Sequence, residues 1–268
     1  MKLHWVIDVD IIGEKHINLP KYLRSLGHEV TTLSATKDIP KLYESPDTIH
    51  VFHGSFEELR AVKKQINVAT YGLGNSILRS HYKSYIPSEW FLNPDRMTTW
   101  GMFCQNQNEY AKRYGRGVFI RPDTGNKTFT GQVLHMDNFQ YEKELLEQTS
   151  NILPETIIWV APQKTIIREF RVWISDNKVI ASSEYSWNED TKPLENIPKV
   201  VIDFANEIAK YSWQVDRAYV VDIHLKPYGE ITEIIEFNSF SCSGLYQCDS
   251  EKLFKQMSDD IIREWMED

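Results

Sequence analysis

The sequence predicts a mixed α/β (α+β) fold: an amino-terminal α/β domain followed by a larger domain built on β-hairpins. Three observations carry that prediction. Strand-like and helix-like runs alternate over the first third of the chain, which implies a small, mainly parallel sheet. The second half instead offers long apolar β-rich runs in tandem, Thr165 to Ile174 before Lys178 to Trp187, and Ala218 to Leu225 before Ile231 to Phe240. A composition of 41% hydrophobic and 25% charged residues over 268 positions matches a soluble globular chain long enough for one large or two modest cores.

Taken in order, His4 to Asp8 is a first strand, Ile17 to Leu26 a helix closed by Gly27, and Glu29 to Leu33 a second strand. Thr48 to His53 leads through Gly54 and Ser55 into a helix over Glu57 to Gln65, and Val68 to Tyr71 reads as one more strand. Ligands of such sheets gather at the carboxyl ends of strands, so His53, Gly54 and Ser55 are candidate contacts. The competing role for Ser55 is to cap the helix that follows. Aromatic and proline residues crowd Ser80 to Pro94, and a domain boundary is expected near Trp90, dividing residues 1–90 from 91–268. Asn106 to Tyr114 is expected to be helical. Thr156 to Ala161 is a strand, and Ile197 to Ser212 and Glu251 to Met266 are amphipathic helices that cover a sheet.

The most informative stretch is Ala218 to Phe240. Lys226-Pro-Tyr-Gly229 favours a tight reversal, so the flanking runs read as a β-hairpin. Strand side chains alternate faces, which puts Asp222 with His224 and Glu236 with Asn238. Pairing can then gather Asp222, Glu236 and Asn238. Three oxygen ligands with two negative charges suit a hard cation such as Mg²⁺. Acids on a strand are commonly its solvated face. Against that, Glu236 lies among Ile234, Ile235 and Phe237, where an unpartnered carboxylate is costly. His224 either serves as a base or simply lines the strand.

Two further motifs carry charge. The strand ending at Arg121 runs into Pro122 to Gly131, a loop with Lys127 whose small residues can expose backbone amides to phosphates. It lacks Walker spacing, and such a loop is also an ordinary hairpin turn. In Thr165 to Ile174, Glu169 and Arg171 share one face and would meet either each other or cross-strand partners. Cys242 is read as a packed small side chain rather than a nucleophile.

The net charge of -8 argues against a broad nucleic-acid footprint. The three cysteines have no C-x-x-C pair, so neither a disulfide framework nor a zinc site is expected, and a reducing cytoplasm fits. Asp8, Asp10 and Glu14 interrupt the amino-terminal apolar run, so neither a membrane span nor a signal peptide is expected.

An arginine strand with a Gly/Lys loop, a hinge-like Trp159-Val-Ala-Pro162, a Glu-x-Arg strand, and an Asp strand paired with Glu-x-Asn resemble, in this order, the ATP-grasp fold. More closely they resemble a phage and bacterial branch in which arginine replaces the usual strand lysine. The resemblance covers roughly residues 91–268, with a smaller lobe over about 91–160 and a metal-binding lobe over about 161–268. The first 90 residues look like the preceding α/β domain. It implies an ATP-dependent carboxylate-amine ligase working through an acyl-phosphate, with Mg-ATP bound between two lobes and Mn²⁺ as a substitute. A kinase or a non-catalytic nucleotide-binding regulatory module would share the motifs. Arg121, Lys127 and Arg171 are implied as phosphate-contacting catalytic cations. Trp159, Val160 and Ala161 would face the adenine, Glu169 would neighbour the nucleotide, and Asp222, Glu236 and Asn238 would hold the metal. Implied partners are small-molecule or peptide carboxylates and amines, in a bacterial or phage-infected cytoplasm, with no membrane and no nucleic acid. The oligomeric state stays open, a homodimer being one option.

Overall fold

The computed structural model describes residues 2–123, 128–185, 196–226 and 232–267, without the side chain of Tyr185. Strands β1 (Lys2–Asp8), β2 (Glu29–Leu33) and β3 (Thr48–His53), with helices α1 (Leu19–Ser25) and α2 (Phe56–Val62), realise the alternation expected of the first segment. The three strands form a parallel sheet in the order β2-β1-β3. Both faces of β1 are buried, as parallel strands require: Leu3, Trp5 and Ile7 enter one apolar cluster while Val6 joins Phe52 in another. Gly27, at φ 88, ends α1 by letting His28 donate back to the Leu23 carbonyl at 3.2 Å. Val68 to Tyr71 does not form the expected strand; a single parallel bridge joins Val51 to Ala69.

The middle of the chain carries α3 (Arg79–Tyr82), β4 (Arg96–Thr99), α4 (Trp100–Gln105), α5 (Gln107–Tyr114), β5 (Gly117–Pro122), β6 (Gln132–His135), α6 (Phe139–Thr149) and β7 (Ile157–Pro162). Its antiparallel sheet has the order β4-β7-β5-β6. Val118, Ile120, Ile158 and Val160 from the inner strands pack with Trp100, Phe103, Phe139 and Leu146 from the helices. Each such side chain contributes on the order of 1.5–3 kcal/mol by leaving water.

The last part supplies β8 (Arg168–Ser175), β9 (Lys178–Tyr185), α7 (Lys199–Ala209), β10 (Ala218–Leu225), β11 (Thr232–Ser239) and α8 (Ser250–Glu267). These strands form an antiparallel sheet in the order β11-β10-β8-β9. Asp176 and Asn177 take left-handed φ values of 46° and 59°, the backbone that a two-residue hairpin loop demands. Helix α7 buries Val201, Ala205, Ile208 and Ala209, one face at i, i+4 and i+7 spacing. Helix α8 sends Leu253, Phe254, Met257 and Ile261 into the cluster that already holds Trp5 and Trp173.

Two compact units result: residues 1–76 with 167–268, and residues 77–166. No described helix is long and apolar enough to cross a membrane.

Candidate functional site

The β10–β11 hairpin brings its acids together because the register sets Asp222 opposite Glu236 and Val220 opposite Asn238. The Asn238 amide donates from Nδ2 to Asp222 Oδ2 at 2.7 Å and to Glu236 Oε1 at 3.0 Å. All three side chains anticipated from the alternation therefore meet on one face. Residues 227–231 of the hairpin loop lie outside the described residues.

Strand β8 lies on the other side of β10 and places Arg171 opposite Asp222 and Glu169 opposite His224. Arg171 Nε and Nη2 donate to the two oxygens of Asp222 at 2.8 and 2.7 Å, a bidentate pair with the carboxylate fully buried. The cross-strand partnership open to Arg171 is realised. On the opposite face of β8, Arg168 forks onto Glu184 at 2.7 and 2.9 Å.

The chain after β11 completes this neighbourhood. Gly244 offers its carbonyl to Arg171 Nη1 at 3.5 Å, and the Tyr246 ring centroid lies 4.9 Å from the Arg171 guanidinium carbon. Tyr246 adopts φ 50, a strained backbone for a non-glycine residue, and its carbonyl accepts from His16 Nε2 at 2.9 Å. His16 is itself buried, with Nδ1 2.8 Å from the Ser250 hydroxyl. No motif in the sequence marks His16, because the contact joins residues 230 positions apart.

Glu233 was equally invisible. Strict period-2 alternation puts residues 233 and 236 on opposite faces, but the register shifts between Asp222 and Ile223. That bulge turns Glu233 onto the face of His224, where it lies 3.5 Å from His224 Nδ1 and 2.8 Å from Lys226 Nζ. His224 is buried at the strand end.

In the second unit Arg121, the penultimate residue of β5, lies directly opposite Trp159. The strand expected over Thr156 to Ala161 is β7, Ile157–Pro162, and the hinge-like Trp159 to Pro162 forms its second half. Trp159 and Val160 have register partners on both sides, and Ala161 and Pro162 reach past the end of β4. The Trp159 indole N–H donates to Asp123 Oδ1 at 2.7 Å, and Arg79 and Lys83 lie 5.8 and 5.1 Å from its ring centroid. Lys127 and the rest of residues 124–127 fall outside the described residues.

The carboxyl end of the parallel sheet is filled by the protein itself. His53 is fully buried, its ring centroid 5.4 Å from that of Phe240 and 5.1 Å from that of Phe254, and burial pushes its pKa down to about 4 although the Phe240 and Ser243 carbonyls oppose that shift. A Cβ on Gly54 would meet Asp8 Cβ at 2.4 Å, and Ser55 Oγ accepts the Glu58 N–H at 3.2 Å as a helix cap. Cys242 packs against an apolar cluster, and burial pushes its thiol up to about 12, which leaves no thiolate at neutral pH.

Two carboxylates and an amide, with a guanidinium beside them, are a hard donor set. Among the described residues no three His, Cys, Asp or Glu side chains gather as a self-sufficient metal cluster. The set therefore fits Mg²⁺, which keeps waters and phosphate oxygens in its shell, and fits zinc or copper poorly. An amide ligates through Oδ1, so ligation by Asn238 entails turning the Nδ2 that now faces the acids.

The oxygen-donor triad lies on one antiparallel sheet and Arg121 on another, the motifs on which the sequence resembles the ATP-grasp fold. Residues 102–256 match the family model of the ATP-grasp domain, R2K clade family 2, and the chain belongs to that family. None of the curated proteins matches it. Among solved structures, D-alanine–D-alanine ligase from Bacillus anthracis is similar at a TM-score of 0.63 and 13% identity, over 100% of this chain and 99% of the other. The RimK domain protein ATP-grasp of Sphaerobacter thermophilus is similar at a TM-score of 0.55 and 12% identity, covering 88% of this chain and 90% of its own. D-cycloserine synthetase DcsG follows at 0.55 and 11%, with 90% and 92% covered.

Proposed function

We propose that the protein is an ATP-dependent ligase that joins a carboxylate to an amine through an acyl-phosphate. The observation that supports this reading is the convergence of Asp222, Glu236 and Asn238 beside the buried Arg171 guanidinium. In this reading a carboxylate oxygen attacks the γ-phosphorus of ATP, releasing ADP. The amine nitrogen then attacks the acyl carbon, phosphate leaves, and the amine loses a proton. Such transfer depends on positioning and charge more than on covalent participation by the protein.

Asp222, Glu236 and Asn238 would hold Mg²⁺, or Mn²⁺ in its place. When bound, the metal supplies positive charge to the β- and γ-phosphate oxygens. Arg121 and Lys127 serve as phosphate cations. Arg121 would bring a planar fork rather than the point charge of a lysine. Arg171 orients Asp222 and offsets charge on the transferred group. Trp159, Val160 and Ala161 face the adenine, and Glu169 borders the nucleotide. The acceptor in this reading is a small molecule or a peptide; the names of similar structures include a D-alanine–D-alanine ligase and an ATP-grasp ligase complexed with a minimal precursor.

The test is the product. ADP release that requires both a carboxylate and an amine supports ligation; a stable phosphorylated product, with no amine needed, identifies a kinase instead. ADP formation at the wild-type rate by a Glu236→Ala, Asn238→Ala double variant contradicts the metal assignment.

A further inference from the structure

Asp123 is a buried carboxylate, 5% exposed, at the exit of β5. A carboxylate is costly to bury unless it is hydrogen-bonded, and a strand end requires none. Here it is fully employed. Oδ1 accepts the Ser80 N–H at 2.8 Å and the Trp159 indole N–H at 2.7 Å, while Oδ2 accepts the Ser80 hydroxyl at 2.7 Å. Its backbone is equally committed, donating to the Ile157 carbonyl at 3.2 Å and accepting from Arg79 N at 3.1 Å. One residue thus ties β5 to β7 and to α3.

Its place in the register gives that tie a purpose. Arg121 and Trp159 are opposite residues, so their side chains share a face, and Asp123, two residues past Arg121, points the same way. The indole is clamped by Asp123 on the face that carries Arg121, with Arg79 and Lys83 close to its ring.

We propose that Asp123 is a positioning residue that fixes the offset between the phosphate-binding Arg121 and the adenine-facing segment Trp159 to Ala161. This rests on the nucleotide roles proposed above. A nucleotide is a bivalent ligand: its base and its phosphates bind in concert only if the two subsites are spaced for one molecule, and the gain from linkage vanishes when they are not. Asp123 would therefore matter for the linked ligand and not for its halves.

The experiment compares wild type, Asp123→Ala, Asp123→Asn and Trp159→Phe by calorimetric titration with a non-hydrolysable ATP analogue, with adenosine, and with inorganic tripolyphosphate. Asp123→Ala is expected to weaken the ATP analogue at least about tenfold while each half changes by no more than about twofold. Asp123→Asn keeps an acceptor for Trp159 and Ser80 and restores binding. Trp159→Phe removes the indole donor together with part of an adenine-facing ring and leaves the Ser80 bonds, so it is expected to weaken the ATP analogue by a larger factor than adenosine even if Asp123→Ala fails to fold. Unchanged affinity for the ATP analogue in Trp159→Phe, or equal loss for all three ligands, overturns the inference while leaving the ligase reading intact. A wild-type protein that binds no ATP analogue overturns both.

Discussion

Arg171 grips both oxygens of Asp222 through Nε and Nη2, at 2.8 and 2.7 Å, with the carboxylate wholly buried. Removing the guanidinium takes this bidentate pair from Asp222 and leaves the Asn238 amide donating to it. Arg171→Ala is expected to destabilise the fold by about 3–5 kcal/mol, since a buried charge loses its counter-charge. Arg171→Lys retains the charge but not the fork, and is expected to recover part of that stability and little activity. Denaturant midpoints and ADP release measured on both variants check this.

Asn238 donates to both neighbouring acids at once. Asn238→Asp replaces two attractive contacts with like-charge repulsion, so the metal-free protein is expected to melt at a lower temperature. The added negative charge strengthens binding of a hard cation, and Mn²⁺ should raise the melting temperature of the variant more than that of the wild type. Thermal melts with Mn²⁺ or with a chelator give the answer; a variant that melts like the wild type under both conditions contradicts the arrangement.

Burial lowers the His53 pKa to about 4 from an ordinary 6.5. Between those values the unfolded chain binds a proton that the folded chain refuses. Stability from this group is therefore complete above pH 6.5 and is lost as pH falls toward 4, with a slope of at most about 1.4 kcal/mol per pH unit. His53→Phe, which places a third phenyl ring with Phe240 and Phe254, is expected to flatten that acid limb in denaturant titrations at pH 7, 6 and 5.

Glu58 titrates the other way. Burial raises its pKa, helped by the Asp8 charge and a side-chain hydrogen bond to Asp8. The folded state holds a proton that the unfolded state has released, so this contribution is present at low pH and lost as pH rises through the folded value. Glu58→Gln keeps a donor for Asp8 without the titration. It is expected to be more stable than wild type at pH 8 and to lose that advantage at pH 4, as urea midpoints will show.

Much of this was legible in the chain. Ala218 to Leu225 is a strand with the bounds expected of it, because eight apolar-rich residues are followed in the sequence by Pro227 and Gly229, and alternation combined with hairpin pairing brings Asp222, Glu236 and Asn238 together. Alternation failed at Glu233, since a bulge is a backbone event that leaves no periodic trace. Helix α6 escaped notice because Tyr141 and Leu145 are exposed, which blurs the apolar face made by Phe139 and Leu146. Asp123 and His16 act through contacts across dozens to hundreds of positions, where sequence spacing carries no information. The family resemblance was legible from the order of motifs, and the family match over residues 102–256 bears it out.

The central claim is that Asp222, Glu236 and Asn238 hold a magnesium ion for a nucleotide. Its most direct test is calorimetric titration of a non-hydrolysable ATP analogue into wild type and into the Glu236→Gln, Asn238→Ala double variant, with and without Mg²⁺. The account predicts that Mg²⁺ tightens nucleotide binding to the wild type and leaves binding to the variant unchanged. Equal affinity with and without Mg²⁺ in the wild type, or the same Mg²⁺ enhancement in both proteins, would contradict it.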